Sequence, residues 1–436
     1  MKNRSVFELS FSNNSFGDGA AERRERSLHG RPTTGNTYHG SGSGSVMTDA
    51  YIVGAGQSSF GSFPEETYRT LFREAYEAAA PADLDGDDVD EAFVGTLGVG
   101  GRQIGLAGPA VTEHVGLHGV PCTRVENACA ASGFALRQAV MAVRSGMADL
   151  VLAGGVEVMT DSSAEATKYW LGVSGETEWE RMAGTTFSGV YAQMADAYLR
   201  EYDAPRRALS AVAAKSHANG ASNPKAHLGF ECSIEDAETA AVVADPLTLY
   251  HCCPTSDGAA AVLVAGEEAA ASFDERVRVA GVGAASDRVG LFQRDTYTAI
   301  PASESAAATA YDRAGVADPR TDLDFAEVHD CFAIAELLAY EDLGFCDRGG
   351  ASALALDGVT AADGDLPVNT SGGLKSKGHP IGATGAGQAV EAFDQLTGNA
   401  GERQLGDPER GLTHNVGGSG GAAVVHLLEA EGVTGA

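Results

Sequence analysis

The sequence predicts an α/β protein made of two similar halves, and three observations carry the prediction. Short apolar runs alternate with amphipathic helical stretches along most of the chain. Several of those runs are apolar at every residue, as strands become when helices cover both faces of a sheet. Segments of the first half also recur in the second in the same order. Tyr51-Ile52-Val53-Gly54-Ala55-Gly56 is echoed by Val277-Arg278-Val279-Ala280-Gly281-Val282-Gly283. Asp257-Gly258 followed by Ala259–Val264 is echoed by Gly420-Gly421 followed by Ala422–Leu427.

Taken in order, residues 1–46 stand apart. They are rich in Ser, Asn, Gly and Arg and lack apolar periodicity. Six basic side chains against four acidic ones give this segment +2, so the remainder carries −32 of the total −30. Such a composition predicts a disordered or mis-annotated extension, with Met47 as the natural start. Tyr51–Gly56 follows as a buried strand ending in a glycine turn. The first half is expected over 47–270 and the second over 271–436. Between them, at about 161–250, lies a more polar insert holding Lys168-Tyr169-Trp170, Trp179 and His217. A long excursion with aromatics suits a substrate lid or a dimer scaffold.

Composition narrows the function. A formal charge of −30 with only six lysines repels nucleic acid and anionic membranes. It fits a protein solvated for high salt, as in a halophilic archaeon, where a Debye length of about 3 Å at molar salt screens self-repulsion. No apolar run approaches a membrane span and no signal-peptide core is present, so a cytoplasmic location is expected. The seven cysteines are odd in number and include no Cys-x-x-Cys, which argues for reduced thiols over a disulfide framework or a zinc site. His251-Cys252-Cys253 lacks the spacing to wrap a zinc ion. No metal site is expected.

Two glycine-rich helix starts carry reactive side chains. In Val125-Glu126-Asn127-Ala128-Cys129-Ala130-Ala131-Ser132-Gly133, small neighbours let a ligand approach Cys129. A helix N-terminus there favours the thiolate and offers amides to an oxyanion. In Lys377-Gly378-His379-Pro380-Ile381-Gly382, proline suits a first helical turn and presents His379 as a base. Cysteine and histidine so placed are the parts of an activated-thiol acyl-transfer site. His329-Asp330-Cys331-Phe332 follows the strand Phe325–Val328 and precedes a helix with Ile334, Leu337 and Leu338 on one face. Asn415-Val416-Gly417-Gly418-Ser419-Gly420 is a tight glycine loop whose N–H groups can face a ligand.

These four motifs resemble, in order, the nucleophile segment, the His-Asp-Cys-Phe fingerprint, the Gly-His-Pro signature and the C-terminal glycine loop of thiolases, with the fingerprint similar to that of the sterol-carrier-protein-type and archaeal subgroup. The resemblance spans roughly residues 48–430. It implies a five-layer αβαβα fold with an inserted loop domain. It implies transfer of acyl groups between coenzyme A thioesters through acyl-Cys129, without metal, nucleotide or flavin. Other thiolases use an Asn-Glu motif where this chain has His329-Asp330, and a second cysteine where it has Asn415. By that match Cys331 becomes the second acid/base, His329 replaces an oxyanion-hole asparagine, and the Gly417 amide joins that of Cys129, with Asn415 and Gly418 beside them. The resemblance also implies a homodimer or dimer of dimers. It admits a small OB-fold, zinc-ribbon partner and a hydroxymethylglutaryl-CoA synthase. A β-ketoacyl synthase-like enzyme, or a subunit inactive alone, are the alternatives.

Overall fold

The computed structural model describes residues 48–102 and 104–432; the reading of residues 1–46 as an extension lies outside them. Eleven strands are present. They are β1 (Ala50–Gln57), β2 (Glu91–Gly95), β3 (Cys122–Val125), β4 (Leu150–Glu157), β5 (Val242–Ala244), β6 (Leu247–Thr248), β7 (Gly258–Gly266), β8 (Val277–Ser286), β9 (Phe325–Glu327), β10 (Arg410–Gly417) and β11 (Ala422–Ala430). All but β5 and β6 form one mixed sheet in the order β3-β2-β4-β7-β1-β8-β11-β10-β9.

The duplication read from the sequence is visible in that order. Outward from the β1/β8 junction, β1-β7-β4-β2 matches β8-β11-β10-β9. Each series makes two antiparallel pairings and then a parallel one. Within the sheet, β1 and β8 pair across the halves at Tyr51↔Arg278 and Ile52↔Val277. Helices pack on matching faces in both. Tyr68–Ala79 lies on β1 against Gly54 and Gly56, and Pro301–Ala314 lies on β8 against Gly281 and Gly283. A side chain at Gly56 would sit 2.6 Å from the Ala78 carbonyl carbon, so bare backbone is what lets helix and strand approach.

Apolar packing divides the protein into layers. One cluster joins Val53, Leu152 and Leu263 to Phe72 and Tyr76 on the outer face of the first half. A second joins Leu136, Val140, Val390 and Phe393 to Val262 and Val424 between the halves. A third covers the outer face of the second half through Ala306, Ala310, Leu337 and Leu338. The middle cluster holds the helices Ala131–Arg144 and Thr384–Thr397, each ending at a left-handed glycine, Gly146 or Gly398. Three cores separated by two sheet halves make the αβαβα arrangement of the thiolase fold. Each fully buried Leu, Val or Phe contributes about 1.5–3 kcal/mol.

The helix Ala333–Asp342, read from the sequence with Ile334, Leu337 and Leu338 on one face, has all ten of its residues buried, Glu336, Glu341 and Asp342 included. The cause is the segment between β4 and β7. Its helices Phe187–Glu201 and Arg207–Ala221 place Tyr191, Met194, Tyr198 and Leu209 in the core of the second half. Lys215 pairs with Glu336, and the Tyr198 hydroxyl donates to Glu341 at 2.5 Å. Carboxylates on the polar face are thereby satisfied internally instead of by water. This part of the insert is built into the core of the second half.

Candidate active site

Cys129 sits in the turn between β3 and the helix that starts at Ala131. The preceding residue, Ala128, has φ +50°, a left-handed conformation that costs an alanine about 1 kcal/mol or more. Two contacts hold it. The Ala128 N–H donates to Glu126 Oε1 at 2.7 Å, and the Ala130 N–H donates to the Asn127 carbonyl at 3.0 Å. The strained turn lifts the thiol out of the helix toward the facing half. Leu97, Val99, Met159 and Ile381 close an apolar wall around it. Burial dominates the thiol's acidity and pushes it up to about 12, although the amides of Gly418 and Cys129 itself point at sulfur and pull the other way. The thiolate expected from the helix end is therefore absent at rest, and Cys129 needs a base at the moment of reaction.

His379 faces the thiol, with a ring nitrogen within 4.8 Å of the sulfur. It lies between Gly378 (φ +118°) and Pro380, with its backbone N–H donating to Ser256 Oγ at 3.2 Å. Its Nδ1 is 2.7 Å from Thr384 Oγ1, and that hydroxyl donates its own hydrogen to the Pro380 carbonyl at 3.0 Å. A hydroxyl has one proton; with that proton donated to the Pro380 carbonyl, Thr384 accepts toward His379, the arrangement in which Nδ1 carries the ring hydrogen and Nε2 keeps its lone pair. Burial lowers the imidazole to about 3, so the ring is neutral and ready to accept a proton. One donor atom each from Cys129, His329 and His379 lie within 4.8 Å of one another.

His329 stands at right angles to His379, with ring centroids 5.1 Å apart and planes at 79°. It is fully buried and held well below the ordinary imidazole value by burial and by its two histidine neighbours, His379 and His414. Its Nε2 has no hydrogen-bond partner. The site thus juxtaposes a buried thiol, a neutral base and a second neutral imidazole. A cleft of about 410 Å³ runs beside them, lined by Glu126–Ala128, Val173–Gly175 and Gly417–Ser419.

Two family descriptions match the chain, the thiolase N-terminal domain over residues 50–268 and the thiolase C-terminal domain-like region over 283–430. The chain belongs to the thiolase family. An acetyl-CoA acetyltransferase of Methanothermobacter thermautotrophicus is 41% identical over 386 residues, covering 88% of this chain and all of that one. Rabbit sterol carrier protein 2 is 32% identical over 406 residues, covering 87% of this chain and 71% of the relative. Among solved structures, the Ltp2-ChsH2(DUF35) aldolase superposes with a TM-score of 0.77 at 26% identity, over 89% of this chain and 99% of that chain.

In this thiolase the structure brings Cys129, His379, His329, Asn415 and Gly418 to one place. Gly418, two residues beyond Val416, directs its amide at the Cys129 sulfur, whereas the Gly417 carbonyl closes the loop by accepting from the N–H groups of Gly420 and Gly421, at 3.1 Å each. Cys331 lies just before the helix Ala333–Asp342, buried and close enough to Cys129 that a charge on Cys129 raises it. Burial is the main cause that raises it. Among the described residues, no metal-like cluster includes His251, Cys252 or Cys253. His251 is occupied by Ser210 Oγ at 2.9 Å and by the Thr248 N–H at 3.1 Å.

Several further residues surround the site. Tyr191 donates to the Gly418 carbonyl at 3.0 Å, stacks on Phe332 at 4.6 Å and bonds the Cys331 thiol. It therefore links the second thiol to the glycine loop. Cys253 is half-buried beside both thiols, and its N–H donates to the Cys331 carbonyl at 3.0 Å. Lys375 is 0% exposed and its Nζ has no hydrogen-bond partner among the described residues. Asp330 accepts from the Leu374 N–H at 2.7 Å while its Oδ2 has none, and burial and Glu336 push it up to about 7 against the pull of Lys375. Glu157 accepts from the N–H groups of Leu97, Gly98 and Val99, each at 2.9 Å, and so fixes the wall beside Cys129.

Proposed function

We propose that the protein is an acyl-CoA C-acyltransferase with acetyl-CoA as its donor, forming or cleaving a short 3-ketoacyl-CoA. The observation that carries this reading is the neutral His379, its Nδ1 2.7 Å from Thr384 Oγ1 and a ring nitrogen within 4.8 Å of the Cys129 sulfur. As a thioester carbonyl reaches Cys129, His379 Nε2 takes the thiol proton and sulfur forms the new C–S bond. The amides of Cys129 and Gly418 receive the oxyanion. The intermediate collapses as Cys331 gives its proton to the departing coenzyme A sulfur, which leaves Cys331 as thiolate beside protonated His379. A second acyl-CoA then enters. The Cys331 thiolate takes the proton from its α-carbon, and the enolate oxygen lies toward His329. That carbon attacks acetyl-Cys129, and the Cys129 sulfur leaves with the proton held at His379, which releases the 3-ketoacyl-CoA and restores both thiols. The reverse sequence is thiolysis.

The tight wall of Leu97, Val99, Met159 and Ile381 supports a short acyl group at Cys129. The acetyl-CoA acetyltransferase at 41% identity supports the same choice. Coenzyme A enters by the cleft beside Val173–Gly175, with the insert at about 161–250 acting as the loop domain between halves 47–270 and 271–436. The enzyme works as a homodimer or dimer of dimers in the cytoplasm of a halophile. The relationship to an aldolase that contains a DUF35 component supports a second reading, in which a small partner protein of OB-fold and zinc-ribbon type completes the active assembly.

Condensation of acetyl-CoA and thiolysis of 3-ketoacyl-CoAs of increasing chain length, each assayed with the purified chain alone and with such a partner, test the proposal. Activity falling steeply beyond the shortest substrates supports it. Activity confined to long chains removes the acetyl assignment, and carbon–carbon cleavage without any acyl-enzyme removes the transferase assignment.

A further inference from the structure

His329 and His379 are both buried and neutral, yet catalysis asks opposite things of them. One must accept a proton and the other must donate a hydrogen bond. The Thr384 hydroxyl decides the matter for His379. We infer that Asn415 decides it for His329, acting as a positioning residue that holds the ring hydrogen on Nε2. This rests on the proposed enolate chemistry only for its catalytic consequence; the hydrogen's position follows from the contacts alone.

One orientation of the Asn415 amide pairs its nitrogen, and leaves Oδ1 without a hydrogen-bond partner among the described residues. Its Nδ2 faces two acceptors, the Cys129 carbonyl at 3.1 Å and His329 Nδ1 at 3.2 Å. An NH₂ group has two hydrogens and supplies both bonds. The opposite orientation would set Oδ1 against the Cys129 carbonyl oxygen. Oδ1 instead lies over Gly133 and Gly385, in the first turns of Ala131–Arg144 and Thr384–Thr397. A Cβ at Gly133 would come within 2.7 Å of it, so the oxygen is pressed against both helix starts. The positive ends of two helices favour oxygen there and disfavour NH₂.

Because Nδ2 donates to His329 Nδ1, that nitrogen must offer its lone pair. The hydrogen of the neutral ring is then on Nε2, the atom that has no partner among the described residues. A buried donor left unpaired costs about 1–3 kcal/mol, and a substrate oxygen placed there removes that cost. The two imidazoles are thus held as opposite tautomers within one site: His379 with a bare Nε2 toward the thiol, His329 with Nε2–H toward the substrate oxygen. The same logic makes His329 a poor metal ligand at Nε2 despite the close grouping with Cys129 and His379.

The test reads the tautomer directly. Nitrogen-15 NMR of histidine-labelled resting enzyme, with His329 assigned by its absence in His329→Asn, should place the hydrogen on Nε2. A hydrogen on Nδ1 overturns the inference whether or not the enzyme proves to be an acyltransferase. Asn415→Asp supplies a carboxylate that accepts from Nδ1–H, so the hydrogen should move to Nδ1. Condensation kcat should then fall about 10²- to 10³-fold, the usual cost of one lost oxyanion donor, with KM changed less than about threefold. In the His329→Asn background, where an amide donates regardless of tautomer, Asn415→Asp should cost less than about threefold more. An equal penalty in both backgrounds would show that Asn415 acts through the Cys129 carbonyl, and would overturn the inference. If Asn415→Asp does not fold, the wild-type spectrum still decides.

Discussion

Gly385→Ala tests whether the two catalytic helices must touch at bare backbone. A Cβ there would lie 2.7 Å from Gly133 Cα and closer still to the Gly133 nitrogen. Both of these are backbone of the helix that follows Cys129, so neither can rotate away, and Asn415 Oδ1 lies nearer still. Restoring ordinary contact needs the helices to part by about 1 Å, and a shift of that size at a reacting pair costs on the order of 10²-fold in rate. Stability has two opposing terms. Alanine gains about 1 kcal/mol over glycine within a helix, and overpacking loses about 1–3 kcal/mol, nearer the upper figure when backbone meets backbone. The net loss is about 2 kcal/mol, or roughly 2 °C in Tm for a chain of 436 residues. Steady-state thiolysis and a thermal melt at matched salt measure both effects. A variant within threefold of wild-type kcat/KM, with an unchanged or higher Tm, would refute the reasoning, because helix propensity alone would then have decided the outcome.

Other consequences follow from the same contacts. Cys331→Ala should still form acetyl-Cys129 but lose α-proton exchange by about 10²- to 10⁴-fold, the usual cost of a missing general base; deuterium uptake from solvent into bound acyl-CoA measures it. His426 is buried beside Arg137 and Arg144, and burial holds it at about 3. Its folded value is depressed, so the stability tied to its neutral form is present above the unfolded value of about 6.5 and is lost as pH falls from there toward 3. Between pH 7.5 and 5.5 the wild type should therefore lose about 1.4 kcal/mol more than His426→Gln by denaturant titration; equal losses would mean the ring is not buried neutral. The formal charge of −30 predicts that Tm and activity both rise from low salt to molar KCl as self-repulsion is screened, and a flat or falling response would remove the halophilic reading.

The repeated halves were legible because buried strands and glycine-punctuated helices leave local patterns, and Cys129 and His379 were legible because each sits in such a pattern. Three things were not. The acidity of Cys129 followed burial, and burial is set by Leu97, Met159 and Ile381 from separate segments. The helix Ala333–Asp342 gave no hint that Lys215 and Tyr198 of the insert would cover its polar side. Tyr191 and Lys375 reach the site from elements whose local sequence is ordinary, and only the fold brings them to Cys331. Asn415 was visible as a departure from other thiolases, but its partners at Cys129 and His329 lie 286 and 86 residues away in the chain.

The central claim is that Cys129 carries the acyl group after His379 removes its proton. Acid-quenched enzyme exposed to acetyl-CoA, analysed by peptide mass spectrometry, tests it most directly. The account predicts one added acetyl group on the peptide that contains Cys129, its loss on adding free coenzyme A, and a rate of appearance reduced by about 10² or more in His379→Asn. Acetyl label on another cysteine, or full labelling of Cys129→Ser, would contradict it.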